Sequence, residues 1–141
     1  MLNDSWLKQV LQTSRVIAVV GLSENSDRPS YQVASYLKGQ GYKIVPVNPK
    51  YQILLSETSF PDLISAQNHL GPSQIEIVDI FRQPQDVLPH VDEAIKIGAK
   101  IIWMQEGIEH KDAAKKAESA GLQVVMDLCL MKTHKRLIGN R

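Results

Sequence analysis

Five apolar, mostly β-branched residues, Val16–Val20, lead directly into Gly21-Leu22-Ser23, and a helix opening follows at Pro29-Ser30, just after Arg28. A second apolar run, Val45-Pro46-Val47, closes on Asn48-Pro49-Lys50. This is the pattern of a strand, a loop, a helix and a second, parallel strand. A helix that starts where a buried strand ends directs unpaired backbone N–H groups and the positive end of its dipole at one spot, which suits the phosphates of a nucleotide. Parallel strands of this kind need cover on both faces.

The rest of the chain continues the alternation. Asp4 or Ser5 can cap a first helix whose stripe is Trp6, Leu7, Val10 and Leu11. The first crossover helix spans residues 30–38, turns Val33, Ala34 and Leu37 to the sheet, and stops at Gly39-Gln40-Gly41. Strand two is Lys43–Val47, and residues 51–71 cross over with a short helix near 62–68. Strand three is 75–80, and Pro84 or Gln85 opens a helix carrying Val87, Leu88, Val91, Ala94 and Ile95 up to Gly98. Strand four is 100–104, the helix Lys111–Ser119 carries Ala113, Ala114 and Ala117, and Gly121 leads into strand five at 122–126. The expected fold class is α/β, a single doubly wound, Rossmann-like, mostly parallel five-stranded sheet with helices on both faces. Right-handed crossovers give it the order 3-2-1-4-5. A ligand then belongs at the carboxyl ends of the strands, where the winding reverses between strands one and four.

The length of 141 residues fits one domain, 1–141. Sixteen basic and 15 acidic residues leave a net charge of +1, so the overall field favours neither nucleic acid nor an anionic membrane as partner. The lone Cys129 cannot form an internal disulfide, the start Met1-Leu2-Asn3-Asp4 lacks a signal-peptide pattern, and no apolar run spans a bilayer; the expected location is the cytoplasm. His69, His90, His110 and His134 lie on different elements with no Cys-x-x-Cys beside them, so no metal site is expected. Neither a Gly-x-Ser-x-Gly elbow nor a G-x-x-x-x-G-K-[ST] loop is present. Glu106 is the best-placed carboxylate for acid or base work, but the sequence gives it no partner, and no catalytic residue is nominated.

Site candidates follow the strands. After strand one come Gly21, Ser23, Arg28, Pro29 and Ser30; at strand two, Val47, Asn48, Pro49 and Lys50. Phe81-Arg82 follows strand three, Gln105-Glu106-Gly107 follows strand four, and residues 127–129 follow strand five. Gly21 can be a plain turn glycine, since Ser23 and Ser26 replace the later glycines of G-x-G-x-x-G. Ser23 and Ser30 can be ordinary turn and cap residues, and Asn48-Pro49 a strand terminator. Arg28 is harder to dismiss, because a cation at the positive end of a helix dipole is misplaced unless an anion offsets it. From Pro29 to Leu55 no Asp or Glu occurs, so strand two lacks the carboxylate that holds the free ribose diol of NAD, and Lys50 stands there instead. A cation there favours a phosphorylated ribose, of which coenzyme A and NADP are the common carriers.

Together, Gly21-Leu22-Ser23, Arg28-Pro29-Ser30-Tyr31, Gly41-Tyr42, Pro46-Val47-Asn48-Pro49, Val78-Asp79-Ile80-Phe81-Arg82, Trp103-Met104-Gln105-Glu106-Gly107-Ile108 and Val125-Met126-Asp127-Leu128-Cys129 closely resemble the stand-alone bacterial and archaeal coenzyme A-binding proteins. The likeness covers about residues 14–135 and extends to the amino-terminal domain of the succinyl-CoA synthetase alpha subunit. The resemblance implies a diphosphate at Ser23 to Ser30, adenine and its ribose beside Val47 to Lys50, and pantetheine running past Phe81-Arg82 toward Gln105-Glu106. Two departures stand out. The synthetase continues into a domain bearing a phosphorylated histidine, so a 141-residue chain is not expected to be a complete acyl-CoA ligase. Where the family often has a glycine after strand two, this chain reads Ile53-Leu54-Leu55-Ser56.

The expected function is binding of coenzyme A or an acyl-CoA by a non-catalytic carrier, sensor or regulatory protein. The alternatives are a small NADP-dependent oxidoreductase, which the missing glycines and missing substrate domain disfavour, and a nucleotide-sensing interaction module. The sequence names no protein partner.

Overall fold

The computed structural model describes residues 3–139. Asn3, rather than Asp4 or Ser5, caps the first helix, α1 (Asp4–Thr13): its side-chain oxygen accepts the Trp6 N–H at 2.8 Å, and Asp4 falls in the first turn, where a carboxylate suits the dipole. The chain continues through β1 (Val16–Val20), α2 (Pro29–Gly39) and β2 (Lys43–Val47). A hairpin of β3 (Ile53–Leu54) and β4 (Glu57–Thr58) precedes α3 (Leu63–Leu70) and β5 (Ile77–Ile80). A 3-10 turn, Pro84–Asp86, opens α4 (Val87–Ile97), and β6 (Ile101–Met104), α5 (Lys111–Ser119), β7 (Gln123–Val125) and α6 (Leu130–Leu137) complete the chain.

Five strands form one parallel sheet, doubly wound as the alternation requires. Successive strand residues feed two apolar layers. Ala18, Val20, Val78, Ile80, Ile102 and Met104 pack with α3, α4 and α5, while Ile17, Val19, Ile77, Ile101 and Trp103 pack with α1, α2 and α6. Every residue of β1, β5 and β6 is buried, which explains why these strands read as continuous rather than alternating apolar runs.

The strand order differs from the expected one. It is β2-β1-β5-β6-β7, so the third long strand lies beside the first and not outside the second. Two features decide this. Leu63 and Ala66 bury α3 in the layer opposite α2, and a right-handed crossover with its helix on that face carries the chain back past β1. The outer edge of β2 is also closed: the Phe60 N–H donates to the Pro46 carbonyl at 3.0 Å, the Asn48 N–H donates to the Phe60 carbonyl at 2.9 Å, and Pro46 has no N–H to offer a further strand. The winding therefore reverses between β1 and β5, not between the first and fourth long strands.

The hairpin and α6 lie outside the elements expected from the sequence. Among the described residues no helix is long and apolar enough to cross a membrane.

Candidate ligand-binding cleft

The exits of β1, β2, β5, β6 and β7 surround an open cleft of about 710 Å³ at the carboxyl end of the sheet. Gly21 marks the point where winding reverses. It holds φ at +86°, and a Cβ there would come within 2.5 Å of the Phe81 carbonyl oxygen and 3.1 Å of Arg82 Cδ. Glycine serves both the backbone conformation and the close approach of two strand exits.

Short polar side chains build the loop between β1 and α2. The Ser23 N–H donates to Ser30 Oγ at 3.0 Å, the Asn25 N–H to Ser23 Oγ at 3.0 Å, and the Asp27 N–H to Asn25 Oδ1 at 2.9 Å. Arg28 is the N-cap residue of α2, with no side-chain cap bond, and Pro29 follows at the first helical position. The first backbone bond of the helix runs from the Gln32 N–H to the Arg28 carbonyl, leaving the N–H groups of Ser30 and Tyr31 without an acceptor among the described residues.

Asn48 ties the β2 exit to this loop. Its Nδ2 donates to the Leu22 carbonyl at 2.9 Å, and its Oδ1 accepts the Lys50 N–H at 3.0 Å, which turns the chain so that Lys50 lines the cleft. Opposite, the β6 and β7 exits are bonded to each other. The Gly107 N–H donates to Asp127 Oδ1 at 2.7 Å, the Asp127 N–H to the Ile108 carbonyl at 3.1 Å, and Trp103 Nε1 to the Leu128 carbonyl at 2.8 Å. Glu106 accepts from Lys132 Nζ at 2.9 Å.

Gly21, Ser23, Arg28, Pro29, Ser30, Asn48, Lys50, Phe81, Arg82, Gln105 and Glu106, all singled out from the sequence, line this cleft. Val47 and Pro49 do not: Val47 is buried at the end of β2, and Pro49 is exposed to solvent. The charges in the lining are Arg28, Lys50 and Arg82 against Glu106, a local positive excess in a nearly neutral chain. Arg82 is 3.7 Å from Asp86, whereas Arg28 and Lys50 have no ion-pair partner among the described residues.

Beneath the cleft floor lies a carboxyl that sequence reasoning passed over. Asp79 sits in the middle of β5, in register with Val19 of β1 and Trp103 of β6, and is fully buried. Burial pushes its pKa up to about 8, against the lowering effect of the Gln105 amide, whose Nε2 donates to Asp79 Oδ1 at 2.6 Å. Asp79 Oδ2 has no hydrogen-bond partner among the described residues.

Residues 15–135 match the CoA binding domain family. The chain belongs to that family. It is 34% identical over 128 residues to the uncharacterized protein YneT of Bacillus subtilis (strain 168), covering 91% of each chain. A hypothetical protein from Pyrococcus horikoshii OT3, of solved structure, is 38% identical with a TM-score of 0.91, covering 98% of this chain and 94% of that one. The apo dinucleotide-forming acetyl-coenzyme A synthetase 1 of Ca. Korarchaeum cryptofilum shares the fold with a TM-score of 0.71 at 22% identity, over 86% of this chain and 28% of that one.

In this CoA-binding domain the cleft also takes in Val33, Tyr51, Pro84, Ile108 and Cys129. Tyr51 follows Lys50 directly, so the turn that carries Lys50 to the cleft carries the ring with it. Cys129 is the N-cap residue of α6, a helix absent from the sequence reading.

Proposed function

We propose that residues 1–141 act as one domain that binds coenzyme A or an acyl-CoA in this cleft, as a carrier, sensor or regulatory protein and not as a catalyst. The observation that carries the reading is the open start of α2, where the N–H groups of Ser30 and Tyr31 and the Arg28 guanidinium, none with a partner among the described residues, stand at the cleft of a CoA-binding family member. Backbone donors, dipole and guanidinium together suit a diphosphate.

The other parts follow along the cleft. Lys50 takes the 3′-phosphate of the ribose, and the half-buried Tyr51 supplies an apolar face for adenine. Phe81 and Arg82 flank the pantetheine arm, which runs toward Gln105 and Glu106. Family membership and the positive cleft support this reading, and the cytoplasm is where such a ligand would be met.

Calorimetry with coenzyme A, dephospho-coenzyme A, NADP and NAD tests it. Coenzyme A should lead the dephospho form by about 1.5–3 kcal/mol, the scale of a charge-assisted hydrogen bond, with NAD silent. Equal binding of both forms would remove Lys50 from the site. Tighter binding of NADP would favour a small oxidoreductase instead.

A further inference from the structure

Among the described residues the only carboxyl in the apolar layer beneath the cleft is the side chain of Asp79, and stability gives no account of it. The layer around it is formed by residues such as Val19, Ile77 and Trp103, and its one side-chain hydrogen-bond partner among the described residues is Gln105. A buried carboxyl with an unpartnered oxygen costs free energy that an apolar residue of similar volume would not. What the pair does achieve is a fixed amide. Gln105 is itself buried yet lines the cleft, and with Nε2 held by Asp79 its Oε1 is left without a partner among the described residues.

We propose that Asp79 is a positioning residue. By accepting the Gln105 amide N–H, it holds Gln105 so that the Oε1 carbonyl is offered to the cleft as the acceptor for an amide N–H of the ligand's pantetheine arm. The inference rests on the reading that coenzyme A occupies this cleft. It assigns to the β5–β6 floor the recognition of an uncharged, amide-bearing arm, separate from the phosphates held at α2. A free Gln105 would rotate among donor and acceptor orientations, and fixing it beforehand lowers the ordering cost of binding.

The test compares coenzyme A with 3′-phosphoadenosine 5′-diphosphate, which ends at the diphosphate and has no arm. Asp79→Leu and Gln105→Leu should each weaken coenzyme A by about three- to tenfold and leave the armless nucleotide unaffected, as expected for one net hydrogen bond. The double variant should be no weaker than Gln105→Leu alone, because both changes remove the same contact. Asp79→Asn, which keeps an acceptor oxygen, should restore coenzyme A binding. Equal losses for both ligands would make Asp79 merely structural and overturn the inference. So would an unchanged affinity for coenzyme A in either single variant.

A measurement on unaltered protein covers the case in which a variant fails to fold. The side-chain NH₂ resonances of Gln105 should shift on addition of coenzyme A and stay in place with the armless nucleotide. No shift with coenzyme A, or the same shift with both, overturns the inference while leaving the phosphate site standing. If wild-type protein binds neither ligand, the coenzyme A reading itself fails and takes this inference with it.

Discussion

The two sides of the cleft are built on opposite principles. On the β1–β2 side, backbone donors at the start of α2 and the cations Arg28 and Lys50 have no partners among the described residues. On the β5–β6–β7 side, Asp79 engages Gln105, Asp127 engages Gly107 and Lys132 engages Glu106. Donors without a protein acceptor and uncompensated positive charge make the first side suited to an anion. The second side bonds largely within itself, so it contributes shape and a few fixed polar atoms. A ligand with a phosphate-rich end and an uncharged arm fits both, and each side can be disturbed without the other.

The largest effect is expected from the buried carboxyl. Asp79 has a folded-state pKa of about 8, far above its ordinary value of 3.8, so between these limits the folded state keeps a proton that the unfolded chain has released. Its contribution is fully present below about pH 4 and is lost as pH rises toward 8, so folding stability should fall across that window by several kcal/mol. Asp79→Asn removes the titration. Urea melts at pH 5 and pH 8 should show the variant close to wild type at the lower pH and clearly more stable at the higher. A wild-type stability that holds level across the window would show that Asp79 ionises in the fold.

Next comes the hinge between the two sides. Gly21→Ala must fit a Cβ against the Phe81 carbonyl at φ +86°, so one strand exit has to move. A loss of about 3 kcal/mol is expected from the strained conformation and the backbone clash together. Thermal denaturation checks it. A loss under about 1 kcal/mol would mean that the β1 and β5 exits separate easily and that the cleft is not braced there.

Arg28→Ala should weaken coenzyme A by about 1.5–3 kcal/mol while leaving the melt of the free protein in place. The contact is exposed and ionic, so wild-type affinity should fall as salt rises, and the variant should show a shallower fall. An unchanged affinity, or a loss matched by unfolding, would move the diphosphate away from α2 and dissolve the contrast between the two sides.

The same contrast governs what can be read from sequence. The β1–β2 side is legible because its signals are local: an apolar run, Gly21, Pro29 at a helix start and a missing acid are neighbours along the chain. The five long strands and both helical layers follow from periodicity for the same reason. Strand order does not, because it depends on which face receives Leu63 and Ala66 and on Phe60 reaching the edge of β2, a contact between loops. Pro46 offered a clue, since proline in a strand points to an edge. Lys132, Lys135 and Arg136 hide α6, although Leu130, His134 and Leu137 keep helical spacing. Asp79 reads as one acid in a strand, and its pairing with Gln105 from the next strand exit is visible only in three dimensions.

The smallest effect separates two residues that share one backbone conformation. Ser56, in the hairpin turn on the β2 side, and Asp127, at the β7 exit, hold φ at +60° and +56°, where side chains other than glycine are disfavoured. Asp127 offsets the cost through its bond with the Gly107 N–H, whereas Ser56 is exposed and its hydroxyl has no partner among the described residues. Ser56→Gly should therefore raise stability by about 0.5–1 kcal/mol, the relief of a left-handed residue less the chain entropy that glycine adds. Asp127→Gly should lower stability by a similar amount, because the charge-assisted bond to the Gly107 N–H, about 1.5–2 kcal/mol, is lost and outweighs the same relief. Chemical denaturation of both variants tests the pair. Two changes of the same sign would show that backbone strain alone, and not the side-chain bonding of the β5–β7 side, sets the energetics at these turns.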